Sequence, residues 1–204
     1  MTARRHRSRR APAIGVLGGS FNPAHDGHRA ISLYALKRLR LDEVWWLVSP
    51  QNPLKSKKGM APFADRVRRA RRAARHPRIR VSEFEARAGS RFTADSLRLL
   101  TRAHPRARFV WLMGADNLKT IHRWESWEII FRTIAIAALA RPPHSVDALL
   151  GEAARRFSRY RVPETRADGL AGMRPPAWTF LRTPPHPISA TRLRGAAAPR
   201  KEGA

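Results

Sequence analysis

Residues 18–28 read Gly-Gly-Ser-Phe-Asn-Pro-Ala-His-Asp-Gly-His and join an apolar stretch to a predicted helix. Gly18 and Gly19 allow a close approach between backbone and ligand, because glycine has no Cβ. The start of a helix carries unpaired N–H groups and a partial positive charge, and both favour anions. His25 and His28 are three residues apart, so their imidazoles can point the same way from that start. The stretch therefore predicts a polyphosphate site between a strand and a helix.

Buried strands and amphipathic helices alternate along the chain. Short apolar runs predict strands at residues 13–17, 43–48, 79–82, 108–113, 134–139 and 178–181. Helical spacing of apolar residues predicts helices over 25–40, from Pro62 to about residue 74, over 93–102, near Asn117, through 127–130, over 146–157 and from about residue 190. The alternation predicts a Rossmann-like α/β fold, with a doubly wound, mainly parallel sheet of five to six strands and helices on both faces. In such sheets ligands bind beyond the carboxyl ends of the strands.

Length and charge set further limits. The 204 residues are enough for one domain, which we expect over residues 13–204. The chain has 41 Lys and Arg against 15 Asp and Glu, a formal charge of +26 that attracts polyanions. Two basic clusters carry much of the excess, and they allow two interpretations: a disordered arm over residues 1–12 with a solvated helix face at 66–75, or nucleic-acid contact at either cluster.

Cysteine content and hydropathy indicate the compartment. The chain has no cysteine, so disulfides and thiolate zinc sites are excluded and a reducing compartment, the cytoplasm, is expected. No apolar run reaches the ~18 residues that span a bilayer, which argues against a membrane protein. The sequence does not indicate which oligomeric state the protein adopts.

A second informative stretch, residues 188–194, reads Ile-Ser-Ala-Thr-Arg-Leu-Arg. Ser189 and Thr191 can cap a helix whose free N–H groups face phosphate. Arg194 can reach phosphate oxygens with a forked and permanent charge. We expect the two stretches to converge on one triphosphate.

Together these stretches resemble the HxGH and ISxTxxR motifs of the nucleotidyltransferase superfamily, which adenylyltransferases share with class I aminoacyl-tRNA synthetases. The resemblance implies that His25, His28 and Arg194 are catalytic, holding the triphosphate and stabilising charge during attack on the α-phosphorus. It also implies an ATP site formed by Gly18, Gly19, Ser20, Phe21, His25, His28, Gly114, Asp116, Ile188, Ser189, Thr191 and Arg194.

Three further segments resemble the bacterial nicotinate-nucleotide adenylyltransferase family. They are residues 48–55, residues 82–97, and residues 113–118 with the following Trp124 and Trp127. The resemblance covers nearly the whole chain after the arm. It implies that the mononucleotide is contacted by Asn22, Lys55, Thr93 and Trp124.

Several of these residues have simpler interpretations that stay open. Lys55 can be a solvated lysine, Thr93 can be a helix cap, and Trp127 is expected in the core. Glu125 stands where relatives often carry an aromatic residue, and its carboxylate would repel nicotinate if it faced the ring.

The resemblance implies adenylyl transfer from ATP to nicotinate mononucleotide, giving nicotinate adenine dinucleotide and pyrophosphate. Mg²⁺ is expected on the ATP phosphates, with no metal site on the protein itself. Two alternatives remain: another transferase of the superfamily, such as one acting on phosphopantetheine, and a basic nucleic-acid-binding protein. The second leaves both motifs unexplained, so nucleic acid is not a required partner.

Overall fold

The structure, a computed structural model, describes residues 10–50, 59–140 and 146–183. Within these ranges seven parallel strands form one sheet in the order β3-β2-β1-β4-β5-β7-β6. The strands are β1 (Ala13–Gly19), β2 (Glu43–Val48), β3 (Ile79–Ser82), β4 (Arg108–Gly114), β5 (Ala135–Ala140), β6 (Arg161–Val162) and β7 (Trp178–Arg182). The predicted α/β class and parallel sheet are confirmed.

Helices cover both faces of this sheet. The α-helices are α1 (Asp26–Arg38), α2 (Phe63–Ala74), α3 (Phe84–Ala88), α4 (Thr93–Ala103), α5 (Ala115–Thr120), α6 (Trp127–Thr133) and α7 (Glu152–Arg156). Short 3-10 helices occur at Ile121–Arg123, Val146–Leu150, Ser158–Tyr160 and Glu164–Gly172. None of the helices in the described ranges is long and apolar enough to cross a bilayer.

Two hydrophobic cores lie on opposite faces of the sheet because successive strand residues point to opposite sides. In β1, Ile14 and Val16 belong to the core beneath α4 to α7, whereas Ala13 and Leu17 belong to the core beneath α1 and α2. Every residue of β5 is buried, as expected for a central strand of a parallel sheet covered on both faces.

The structure corrects the predicted elements in three places. The sheet has seven strands rather than five to six, because the two-residue edge strand β6 has no apolar run to reveal it. The helix predicted over 146–157 is broken at Gly151, whose extended backbone separates a 3-10 turn from α7. Helix α3 was not predicted, and five residues are too few to show a clear helical period.

The first strand lies where the direction of winding changes. β1 pairs with β2 on one side and with β4 on the other, and Leu17 is in register with Leu112. The carboxyl ends of β1 and β4 therefore lie side by side. In a doubly wound sheet this is the crevice in which ligands bind.

The chain enters the sheet through residues 10–12. Arg10 pairs with Asp42 at 3.6 Å, and Arg108 donates to the backbone oxygens of Ala11 and Pro12. The disordered arm predicted over residues 1–12 falls mostly on residues 1–9, which lie outside the described residues.

Candidate active site

The two histidines of the first stretch lie at the start of α1 with their rings in contact. The ring centroids of His25 and His28 are 3.9 Å apart. His25 is the N-cap residue and is 7% exposed, whereas His28 occupies the third helical position and is half-buried. The rings therefore lie together at the carboxyl end of β1, as their spacing predicts.

The helix cap determines which nitrogen of each ring carries the proton. The N–H of Gly27 donates to Nδ1 of His25 over 3.0 Å, and the N–H of His25 donates to Nδ1 of His28 over 3.3 Å. A ring nitrogen that accepts a hydrogen bond carries no proton, so in the neutral imidazoles the proton lies on Nε2. Each ring thus has Nε2–H as its donor, the form that can bind a phosphate oxygen.

The same cap corrects the expectation that the N–H groups here are unpaired. The N–H of Gly27 is bonded to the His25 ring, and the N–H of His28 donates to the backbone oxygen of His25 over 2.9 Å. Both groups are satisfied inside the cap because the N-cap residue replaces the missing helical acceptors. Toward an anion, the imidazoles rather than these two amides are the donors.

Aromatic packing and a buried serine hold His28 against the sheet. Phe21 is 2% exposed, stacks on Trp46 of β2 at a centroid distance of 5.0 Å, and lies 4.9 Å from the His28 ring. Ser32 donates to the backbone oxygen of His28 over 2.7 Å and accepts from Nε1 of Trp46 over 2.8 Å. The imidazole position is therefore fixed by both contacts and hydrogen bonds.

The two glycines of the motif have different surroundings. A Cβ added at Gly18 would overlap the indole of Trp111, a buried residue of β4. A Cβ at Gly19 would meet only the Phe21 ring, at an ordinary 3.6 Å. Gly18 is therefore required by packing inside the protein, whereas a Cβ at Gly19 would be tolerated there.

Arg66 of α2 is a buried cation with backbone partners. Its side chain is 1% exposed in the described structure. Nε donates to the backbone oxygen of Ala61 over 3.0 Å, and Nη2 donates to that of Pro50 over 2.7 Å. Nη1 donates to the backbone oxygens of Ser20 and Ser49, each over 2.7 Å. One guanidinium thus contacts the loops that follow β1 and β2.

The interpretation of Arg66 as part of a solvated helix face is consequently wrong. The other arginines of residues 66–75 are exposed, and three of them form ion pairs: Arg68 with Asp65, Arg71 with Glu83, and Arg75 with Asp26. Arg66, Ala70 and Ala74 recur every four residues on the buried side of α2. That spacing in the sequence is the signal that could have identified Arg66 as an inward residue.

Asn22 also joins the loop after β1 to the segment before α2. Its Nδ2 donates to the backbone oxygen of Gly59 over 2.9 Å, and its Oδ1 accepts from the N–H of Ala61 over 3.3 Å. The amide therefore has a structural role in the described loops. Its contact with a mononucleotide stays a prediction.

The segment after β4 forms the other wall of the crevice. Gly114 ends β4 and is the N-cap of α5, where no side chain caps the helix. Asp116 follows in the first turn of α5 and is exposed. Trp124 is half-buried against the core, and Glu125 beside it is exposed. Trp127 contacts the rings of Phe131 and Phe157 edge-on, which confirms its place in the core.

Thr93 lies at the start of α4 but does not cap it. The N-cap residue is Phe92, and no side chain makes a cap hydrogen bond there, so the predicted capping role is wrong. Thr93 is half-buried, and its contact with nicotinate stays a prediction.

Glu85 of α3 is a buried carboxyl that the sequence pattern did not reveal. It is 7% exposed and forms hydrogen bonds with the side chains of Ser49 and Ser96. Burial raises the pKa of Glu85 above its ordinary value of 4.5, and the two serine hydrogen bonds oppose that rise. Neutral serines thus compensate only part of the cost of burying the charge.

The sequence of the chain matches known families along most of its length. The cytidylyltransferase-like family model matches residues 16–196. A protein of Bradyrhizobium sp. strain ORS 278, named "Probable nicotinate-nucleotide adenylyltransferase", is 52% identical over 89% of this chain and 94% of its own length. One of Cereibacter sphaeroides with the same name is 52% identical over 89% of this chain and 96% of its own. The chain belongs to the nicotinate-nucleotide adenylyltransferase family.

Solved structures show that the fold is that of the family. The nicotinic acid mononucleotide adenylyltransferase of Plasmodium falciparum, complexed with NaAD, matches with a TM-score of 0.67 at 18% identity over 90% of this chain and 83% of that one. The same protein complexed with APC gives a TM-score of 0.65 at 16% identity over the same shares of the two chains. At this identity the likeness concerns the fold alone.

Several predicted site residues of this family member lie outside the described part of the chain. These are Lys55 and the second motif with Ile188, Ser189, Thr191 and Arg194. The convergence of Arg194 with His28 on one triphosphate therefore stays a prediction. Of the predicted ATP-site residues, the described structure brings Ser20 and Phe21 of the loop after β1 together with His25 and His28 at the start of α1, beside the end of β4 where Gly114 and Asp116 lie.

Proposed function

We propose that the protein transfers the adenylyl group of ATP to nicotinate mononucleotide, producing nicotinate adenine dinucleotide and pyrophosphate. The observation that carries the proposal is the His25–His28 pair, 3.9 Å between ring centroids, at the carboxyl end of β1 in a chain of this family. Identity of about half over 89% of the chain to relatives with that name supports the choice of acceptor.

The chemistry needs positioned positive charge rather than a base. A phosphate monoester has a second pKa near ~6, so the phosphate of the mononucleotide is already largely anionic at pH 7. One of its oxygens attacks the α-phosphorus in line, and the bond from that phosphorus to the bridging oxygen breaks. Pyrophosphate leaves with the electron pair, and its growing negative charge is what the site must stabilise.

The two imidazoles are suited to that task. The cap holds both rings through their Nδ1 atoms, so each neutral ring carries its proton on Nε2. Donors held in place in this way stabilise developing negative charge at low cost. Lys55 and Arg194 are proposed to add permanent charge beside them. The α1 start contributes its partial positive charge to the same end.

Mg²⁺ is proposed to arrive with ATP as part of the substrate. Within residues 10–50, 59–140 and 146–183, the structure has no group of three or more side chains able to hold a metal ion. Mg²⁺ is commonly held by substrate phosphates with few protein ligands, and this general preference supports a metal-nucleotide substrate.

The wall after β4 is proposed to recognise the pyridine ring. Trp124 is half-buried and packs against the core, and its indole is of the type on which an electron-poor pyridine carboxylate can stack. Glu125 is exposed. A Glu125 carboxylate that faces away from the pyridine ring would not repel the nicotinate carboxylate. Thr93, at the start of α4, is proposed to supply a polar group to the same acceptor. We place the reaction in the cytoplasm, which the absence of cysteine supports.

The decisive experiment supplies MgATP with one acceptor at a time: nicotinate mononucleotide, nicotinamide mononucleotide or phosphopantetheine. Pyrophosphate and the dinucleotide product are measured in parallel, with a His28→Ala preparation as the blank. We expect the highest kcat/KM for nicotinate mononucleotide. Turnover of phosphopantetheine without turnover of either mononucleotide would refute the proposed acceptor.

A further inference from the structure

Arg66 connects three backbone segments that are distant in sequence. Its guanidinium donates to Ser20 in the loop after β1, to Ser49 and Pro50 after β2, and to Ala61 just before α2. The four distances lie between 2.7 and 3.0 Å, within the range of strong hydrogen bonds. A planar fork of donors can hold several carbonyls at fixed separations, which a flexible lysine cannot do.

The buried charge has carbonyl partners rather than a carboxylate partner. No ion pair of Arg66 occurs among the residues that the structure describes, and burial lowers the pKa of its guanidinium. The group nevertheless stays protonated at neutral pH. A buried cation is costly unless its hydrogen bonds are satisfied, and the carbonyls supply that compensation. If its role were only to fill space, an uncharged side chain would be less costly at this position.

One of the four bonds holds a strained part of the motif. Phe21 has a φ of 46°, in the left-handed region that non-glycine residues rarely adopt. The oxygen of Ser20 and the N–H of Phe21 belong to the same planar peptide, so fixing one fixes the direction of the other. Strained residues persist where their surroundings determine them, and Arg66 together with the Trp46 ring provides those surroundings.

The hydrogen-bonded connection continues from Ser49 to helices α3 and α4. The oxygen of the Ser49 backbone accepts from Arg66, while the Ser49 side chain is hydrogen bonded to Glu85. Glu85 is bonded in turn to Ser96 of α4, the helix that begins at Thr93. The loops after β1 and β2 are thus joined through Arg66, and the loop after β2 is connected through Glu85 of α3 to α4.

We propose that Arg66 is a positioning residue for adenylyl transfer, setting the distance between the histidine-bearing loop and the loop after β2 through its four carbonyl bonds. The inference rests on the proposed function for its kinetic consequence. In-line attack requires the two substrates to be held within a fraction of an ångström of their reactive positions. A displacement of ~1 Å can lower the rate by about 10²-fold. The interaction acts mainly on the transition state, so kcat should fall while KM changes little.

The test uses two variants of Arg66 and one matched control in the full chain. Arg66→Met keeps the length and removes the fork, and Arg66→Lys keeps the charge but cannot reach four carbonyls. Arg72→Met removes a positive charge from the exposed face of the same helix. Steady-state kcat and both KM values are measured well below the melting temperature of each protein.

We expect kcat to fall about 10²-fold in Arg66→Met, with each KM within about threefold, and to fall less in Arg66→Lys. Arg72→Met should match the unaltered protein. An unchanged kcat in folded Arg66→Met, or a raised KM alone, would overturn the positioning role. If Arg66→Met does not fold, Arg66→Lys decides, and an unaltered kcat there would equally overturn it.

A second measurement separates this inference from the proposed acceptor. Amide hydrogen exchange over residues 17–24 and 44–50 should become faster in Arg66→Lys than in Arg72→Met, because both segments lose bonded carbonyl anchors. This result is independent of any substrate. Unchanged exchange would contradict the connection between loops even if adenylyl transfer is confirmed, and a failed acceptor assay would leave the exchange result intact.

Discussion

The loop after β1 and the segment after β4 form two walls of one crevice, yet they are built in opposite ways. The first is held from inside: buried rings pack around His28, Arg66 bonds the backbone of Ser20, and Asn22 bonds the adjacent segment. The second has an uncapped helix start with Asp116 exposed and Trp124 half-buried. The first wall is held by hydrogen bonds and ring contacts to neighbouring loops, whereas the second has an exposed carboxylate at Asp116 and a half-buried indole at Trp124.

This difference suggests that the two walls have different roles in the reaction. Stabilising charge on a leaving group requires donors that are already in place, because reorganisation during the reaction costs rate. Recognising an acceptor can depend on side chains that contact it from the surface of the crevice. Substitutions in the first wall should therefore lower kcat or stability, and substitutions in the second should change KM for the mononucleotide.

The largest effect is expected for His28→Ala. Removing one electrostatic stabiliser among several should lower kcat by roughly 10²–10³-fold. The helix cap loses one acceptor, so a small decrease in melting temperature should accompany it. Initial rates of pyrophosphate release measure the effect.

His104→Ala is the control for His28→Ala, since it removes an exposed imidazole that contacts Trp45 instead of the motif. It should leave kcat unchanged. A kcat for His28→Ala within a few-fold of normal would mean that the first wall does not act on the reacting phosphates.

Gly18→Ala should have the next largest effect, and the property that it changes is stability. The new Cβ would overlap the buried Trp111 indole, and overpacking of this kind costs about 1–3 kcal/mol. Gly19→Ala meets no such obstacle, so its melting curve should stay normal. If Gly19 approaches phosphate, its variant should instead lose activity. Equal stability losses in both would contradict the packing difference between the two glycines.

The sequence predicted the strands and the histidine pair of the site better than the side chains that hold the site in place. Periodicity located six of the seven strands, and the spacing of His25 and His28 predicted their contact, because both patterns depend on local geometry. The family prediction is confirmed by relatives about 50% identical.

What the sequence did not show depends on contacts between distant residues. Arginine is usually exposed, so the sequence favours a solvated position for Arg66, whereas its four carbonyl partners come from segments between 5 and 46 positions away. Glu85 was not recognised because its serine partners lie on two other elements. The residue type of Thr93 favours a helix cap, whereas the backbone places Phe92 at the N-cap position.

A smaller effect is expected for Trp124→Ala in the second wall. Loss of one stacking surface is worth about 0.5–1.5 kcal/mol, so KM for nicotinate mononucleotide should rise up to about tenfold with KM for ATP unchanged. Trp127→Leu is the matched control, since that indole packs on Phe131 and Phe157. It should lower stability without moving either KM. Equal KM shifts for both substrates in Trp124→Ala would remove the distinction between the walls.

The smallest effect concerns Glu85, which connects the loop after β2 to α4. Because burial raises its pKa above 4.5, the folded protein binds this proton more tightly than the unfolded chain does. Stability from this group is therefore greatest below pH 4.5 and decreases as pH rises through the raised pKa, by at most about 1.4 kcal/mol per pH unit. Denaturant unfolding of the unaltered protein and Glu85→Gln across this range should give a difference that moves in favour of the variant as pH increases. Glu125→Gln, at an exposed position, is the matched control. A trend of opposite sign for Glu85→Gln would mean that its serine hydrogen bonds outweigh burial and that the folded protein stabilises the charged carboxylate.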